Sequence, residues 1–197
     1  MFLIKHTKVC IKFMKKDFEE RKDYFLNKGF DSYVFFTLSN KEEELAEELN
    51  KKYDDIYCLV LKKIVHRSIN GQKFDEEDVM IKGYVFVYVD IDRDIAEYKS
   101  DNHFYRILNL KMDKGRLFGS DYVYSKWVLE QNGFIGLSKA IKVNEKVKIV
   151  SGPLSMLEGY IVEYSKRNRN CCVETKFLGK TIKMWLPFDW LDQSYKM

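Results

Sequence analysis

From Tyr84 to Val89 every residue is apolar, with Tyr84, Phe86 and Tyr88 alternating with Val85, Val87 and Val89. Successive side chains of a strand point to opposite faces, so this stretch predicts a strand with two apolar sides. A sheet built on it needs two covers. If the valines pack beneath helices at 41–52 and 120–131, the ring-bearing side is left either for the domain's own core or for a partner protein. Tyr33–Leu38 reads as another strand. Leu45, Ala46 and Leu49 line one face of a helix through Lys52, with Ser39 and Glu42 as its capping box. Tyr57–His66 reads as a strand that alternates in its first half and is basic in its second. Asn70-Gly71 is a type I′ turn signal leading to a strand from Gln72. Ser120–Glu130 reads as a helix with Tyr124, Trp127 and Val128 on one side, ended by Asn132-Gly133. Asp17–Asn27 reads as a short helix ended by Gly29, within an otherwise poorly packed extension over residues 1–31.

The last quarter of the chain switches to short period-2 runs. Val147 and Ile149 alternate with Lys146, Lys148 and Val150, and Gly152-Pro153 interrupts the strand. Gly159 precedes an apolar run at Tyr160–Val162. Two more strands are predicted at Cys171–Phe177 and Thr181–Leu186, joined at Leu178-Gly179-Lys180. Four or five short strands in about fifty residues predict a small β-barrel.

The order Lys-Val-x-Ile-x-x-Gly-Pro-Leu from Lys146 to Leu154, followed by Leu157-Glu158-Gly159, resembles the KOW motif, although Asn144 stands where that motif commonly has glycine. Upstream come a strand from Ser32, a helix opening Asn40-Lys41-Glu42-Glu43, a basic hairpin and Gly83-Tyr84-Val85-Phe86-Val87. Together these resemble the NusG family from Ser32 through Asp192. The resemblance implies an α+β protein. An N-terminal NGN α/β sandwich, with a mixed, mainly antiparallel sheet and helices, would span 32–133. A linker over 134–143 would lead to an SH3-like KOW β-barrel at 144–193. It also implies docking of the first domain on the clamp helices of RNA polymerase through an apolar depression, which maps by motif position onto Phe36, Ile81, Tyr84 and Phe86. Two departures are Ile81-Lys82 in place of Phe-Pro and Ser32-Tyr33 in place of Trp-Tyr. In the same family Tyr105–Leu108 would end a helix, and Leu154 and Met156 at the barrel tip would meet a ribosomal protein or a termination factor. The segment Gly133–Lys139 with Ile141, and Phe177–Ile182, resemble LoaP-like specialised paralogs, which act with an RNA hairpin in the leader transcript.

Charge adds a second candidate surface. Lys62, Lys63, His66, Arg67 and Lys73 gather on the predicted hairpin, and Lys166, Arg167 and Arg169 in a loop of the barrel. Such residues bind phosphates by releasing counterions, or they simply solvate a surface. The formal net charge of +4 does not decide between these. Asp90, Asp92 and Asp94 are spaced like the start of a calcium loop, but Ile95 stands where its glycine belongs and Asp101 where its glutamate belongs, so a solvated loop is expected. The scattered Cys10, Cys58, Cys171 and Cys172 fit neither a metal site nor a disulfide framework, which points to a reducing cytosol. In the alternating strand, one of Cys171 and Cys172 should face the core and the other outward. No phosphate-binding glycine loop, nucleophile elbow or paired-histidine spacing is present, and His6, His66 and His103 lie far apart, so neither an enzyme nor a cofactor is called for.

Two functions remain open: a NusG-type elongation or antitermination factor that binds the polymerase clamp, and an RNA-binding or ribosome-associated KOW protein with an unrelated first module.

Overall fold

The computed structural model describes residues 19–69, 72–109, 113–143, 146–166 and 169–191, and of 66–69, 73, 146, 158 and 159 the backbone alone. The Asn70-Gly71 turn, Asn144, Arg167, His6 and Cys10 therefore lie outside the described residues, as do the side chains of His66, Arg67 and Lys73. In chain order the elements begin with α1 (19–28), β1 (Asp31–Thr37), α2 (Glu42–Lys52), β2 (Ile56–Leu59), β3 (Lys62–Ile69), β4 (Gln72–Val79) and β5 (Tyr84–Val89). They continue with β6 (Tyr105–Ile107), α3 (Gly119–Glu130), β7 (Phe134–Ile135), β8 (Ser138–Val143), β9 (Lys146–Ser151), β10 (Ile161–Ser165), β11 (Asn170–Phe177) and β12 (Lys180–Trp190). The class is α+β. The described residues divide into two compact units, one from Met1–Val60 and Lys82–Gly133, the other from Leu61–Ile81 and Phe134–Met197.

The first unit is built on a four-stranded sheet ordered β2-β5-β1-β6. β5 sits between β2 and β1, antiparallel to both, and all of Val85–Val89 is buried, as the two-sided apolar pattern requires. The covers are distributed differently from the expectation. Helix α3 lies on the aromatic side, where Phe86 meets Tyr124 at 6.1 Å and the Tyr88 hydroxyl donates to the Ser125 carbonyl at 2.9 Å. Helix α2 packs against β2 and β5 through Leu45, Ala46 and Leu49. Phe86 and Tyr88 are thus core residues, and the aromatic side is not open along its length.

Local signals were overridden at several points. Ser39 does not cap α2; its first residue, Glu42, is buried and accepts the Gly83 N–H at 2.5 Å. Tyr57–His66 is not one strand: it breaks at Val60-Leu61, and β2 and β3 belong to different sheets. Tyr105–Ile107 is a strand paired with β1 rather than a helix end. Residues 19–30 are not a loose extension. Phe25 and Phe30 are buried, and Arg21 donates to the carbonyls of Asn50 and Ile56. Gly29, at φ +87°, ends α1 with its N–H on the Phe25 carbonyl, as expected of a left-handed C-terminal glycine.

The second unit holds a five-stranded sheet ordered β10-β11-β12-β8-β9 and a three-stranded sheet ordered β4-β3-β7. Residues 138–143, expected in the linker, are β8, which lies between β12 and β9. The hairpin expected within the first domain, 32–133, belongs to this unit, with Ile69 opposite Gln72. Val147 and Ile149 are buried while Lys148 and Val150 are exposed, so the alternation at the start of the motif is realised. Leu178 and Gly179 both have positive φ and form the two-residue turn between β11 and β12. Gly152 (φ +93°) brings its backbone against Ser138: a Cβ there would lie 2.7 Å from the Ser138 Cα. Cys171 and Cys172 are both buried, not split between core and solvent. Burial pushes the Cys171 thiol up to about 12, so it is a packing group rather than a nucleophile. Among the described residues no helix is long and apolar enough to cross a membrane.

Candidate docking surface

In antiparallel strands, residues directly opposite one another project to the same face. Phe36 of β1 stands opposite both Tyr84 of β5 and Arg106 of β6, so these three share the aromatic side of the sheet. They lie at one end of the strands, outside the part covered through Tyr124 and Ser125. Phe36 and Tyr84 are half-buried and pack edge to face at 5.8 Å. The Arg106 guanidinium lies 4.8 Å from the centre of the Phe36 ring. Beyond them Leu38 and Phe104 are 68% and 79% exposed, far more than isolated aromatic and leucine side chains need to be. The Thr37 hydroxyl donates to the Phe104 carbonyl at 2.8 Å and ties the two chain segments together.

Gly83 is what lets this end of the sheet close up. At φ +81° it accepts the Thr37 N–H, and an added Cβ would come within 2.9 Å of the Phe36 ring.

Of the four residues expected at the docking surface, the structure brings Phe36 and Tyr84 together. Phe86 shares their face of the sheet but is fully buried against Tyr124. Ile81 is half-buried and belongs to the other compact unit. Leu38, Phe104 and Arg106 are additions. The β1–β6 register identifies Arg106, exposure identifies Leu38 and Phe104, and nothing in the sequence pattern around 104–108 announced an edge strand.

Behind the patch, His103 sits between two carboxylates of α2: its Nδ1 is 2.7 Å from Glu48 and its Nε2 is 3.1 Å from Glu44. Glu48 also accepts the Ser100 hydroxyl and the N–H groups of Asp101 and Asn102. Burial opposes ionisation of Glu48, but the hydrogen bonds from His103, Asp101, Ser100 and Asn102 outweigh it and hold the carboxyl at about 2. The hydrogen bonds to Glu48 and then Glu44 raise His103 above its ordinary 6.5. This cluster pins the segment 100–104 to α2 and thereby sets Phe104 at the edge of the patch.

The three aspartates of the calcium-like spacing are engaged elsewhere. Asp90 accepts from Tyr24 and Lys28, Asp94 caps the 3-10 turn at Ala96, and Asp92 uses its backbone N–H on Asp31.

Of the basic candidates whose side chains are described, Lys62, Lys63 and Arg169 have partners within the chain. Lys62 pairs with Glu77 at 3.0 Å. Lys63 is half-buried and donates to the Trp185 carbonyl at 3.0 Å, and burial pulls its ammonium below the ordinary value. The β3 register sets the Lys62–Arg67 stretch against Asp75, Glu76, Glu77 and Asp78 of β4. Lys62, Lys63, Arg67 and Lys73 thus share the hairpin with as many carboxylates. Arg169 pairs with Asp189 at 3.0 Å, and Lys166 is exposed. At the tip after Gly152, Leu154 is fully buried with its N–H on the Ser138 hydroxyl, while Met156 is 57% exposed. Leu154 is thus a core residue rather than a contact residue.

Residues 31–116 match the family profile described as "Transcription termination factor nusG". Comparison with curated proteins returns no match.

Proposed function

We propose that the chain, whose residues 31–116 match the nusG profile, is a transcription elongation factor of the NusG family whose first unit docks on the clamp helices of RNA polymerase. Docking holds the enzyme in a processive state through binding energy alone, with antitermination of one or a few operons as the outcome. The observation that carries the reading is the half-open aromatic end of the β5-β1-β6 sheet. Phe36 and Tyr84 present ring surface there, flanked by exposed Leu38 and Phe104. Apolar side chains at the centre of a patch, ringed by polar groups, are what a helix laid in a groove requires. The second unit, read as a KOW domain, recruits a further partner, with Met156 at its exposed tip. The hairpin favours a protein partner over RNA as the main target, because it carries as many carboxylates as cations.

Phe36→Asp combined with Tyr84→Asp, two half-buried positions, should abolish co-purification with RNA polymerase while far-UV circular dichroism stays that of the parent. Undiminished co-purification would overturn the docking reading. Phe86 is unsuited to this test, since a buried aspartate there would unfold the sheet whatever the partner.

A further inference from the structure

Four of the five arginines whose side chains are described are paired with a carboxylate. Arg21 meets Asp54 at 3.8 Å, Arg93 meets Asp55 at 3.2 Å, Arg116 meets Asp113 at 2.6 Å and Arg169 meets Asp189 at 3.0 Å. Arg106 is the exception. Among the described residues no carboxylate lies within ion-pair distance of it, and its only close partner is the face of Phe36. It sits on the edge strand β6, exposed, beside the ring pair that the docking reading uses. An exposed arginine beside an aromatic ring, with no acid of its own to engage, keeps a planar five-donor guanidinium available, the group that recognises a carboxylate in bidentate fashion.

We propose that Arg106 is the specificity-determining residue of the docking surface, and that the polymerase element seated on Phe36 and Tyr84 presents a carboxylate to it. The apolar rim of Leu38 and Phe104 would exclude water from that pair, which is where a charge pair discriminates between partners most strongly. Attraction by the rings alone would accept many amphipathic helices. An unpaired guanidinium at their edge accepts those with an acid at the matching position and penalises those with a base there.

The inference rests on the docking reading, and the experiment separates the two. Affinity of the full chain for intact core RNA polymerase is measured across a salt series for the parent, R106Q, R106E and the Phe36/Tyr84 double variant. Circular dichroism and thermal melting check each fold. R106Q is expected to weaken binding several-fold and to flatten the salt dependence, because one charge pair is lost. R106E should weaken it by about tenfold or more, since a like charge then faces the partner's acid. If R106Q and R106E bind within about twofold of the parent with an unchanged salt slope, while the double variant has lost binding, Arg106 is not the determinant but the docking surface stands. If the double variant also binds like the parent, the docking reading itself is wrong. Should R106E fail to fold, R106Q carries the test, as an exposed neutral side chain of similar polarity. An R106Q chain that keeps polymerase binding but loses affinity for a double-stranded oligonucleotide would assign Arg106 to phosphate and overturn the proposal.

Discussion

At the scale of single residues, Gly83 and Glu42 do the most to shape the candidate surface. Gly83 combines a positive φ with a contact that leaves no room for a methyl group against Phe36. Gly83→Ala should cost roughly 1–3 kcal/mol, from backbone strain and displacement of the ring. The same change should lower polymerase affinity. Denaturant unfolding reads the first effect and pull-down the second. Glu42 is buried with its carboxylate on the Gly83 N–H. Replacing it by alanine orphans that donor and should destabilise by about 1–3 kcal/mol, whereas glutamine, which can still accept the bond, should recover much of the loss. Asn50 plays a related part at the other edge of the sheet. Its amide nitrogen donates to the Cys58 carbonyl and its oxygen accepts the Cys58 N–H, both at 2.8 Å. The side chain thus pairs with edge strand β2 as a neighbouring strand would.

At the scale of elements, the segment 100–104 is held to α2 by charge, and the sign of its pH dependence follows from the partners. His103 is raised above 6.5, so its contribution is full below that value and is lost as pH rises through the raised one. Glu48 is lowered from 4.5 to about 2, so its contribution is present above 4.5 and is lost as pH falls through about 2. The tether is therefore strongest between about 4.5 and 6.5, those being the ordinary values of the two groups. Lys41 on Glu44 and Lys52 on Asp101 are the nearest other ion pairs. An NMR titration should find His103 above its ordinary value and returning toward it in Glu48→Gln. Hydrogen exchange at the Asp101 and Asn102 amides should accelerate in the same variant. An unshifted His103 would show that the two-carboxylate clamp does not persist in solution.

At the scale of the whole molecule, the C-terminal sheet depends on a strand that lies before its recognisable motif. Among the described residues, β8, Ser138–Val143, is the strand that joins β12 to β9 by hydrogen bonds. A fragment starting at Asn144 leaves β9 without a hydrogen-bonded neighbour, and Gly152 without the Ser138 backbone it packs on. Such a fragment should show broad, collapsed amide resonances, while the full chain shows dispersed ones. A well-dispersed spectrum from residues 144–197 would contradict this. The balance of charge on the β3–β4 hairpin belongs to the same scale. It predicts that nucleic-acid affinity of the full chain is weak near physiological salt, which electrophoretic mobility shifts over a salt series would measure.

Periodicity by itself specified most elements. Alternation marks β5 and β9, the spacing of Leu45, Ala46 and Leu49 marks α2, and the family motifs bring Phe36 and Tyr84 into one hypothesis. These are local properties, fixed by backbone repeat and turn chemistry within a few residues of each signal. What the chain could not announce was which side of a two-sided strand each helix would cover. Phe86 and Tyr84 follow one rule in sequence, yet one is sealed by Tyr124 and the other lies at the sheet's open end. Nor could it announce that the apolar run through Val60 divides between two sheets, or that Arg106 would land opposite Phe36 on an edge strand. Those outcomes depend on pairings between residues as far apart in the chain as Phe35 and Ile107. Register and layer order are collective choices of the folded chain, decided by how all the apolar faces can be buried together.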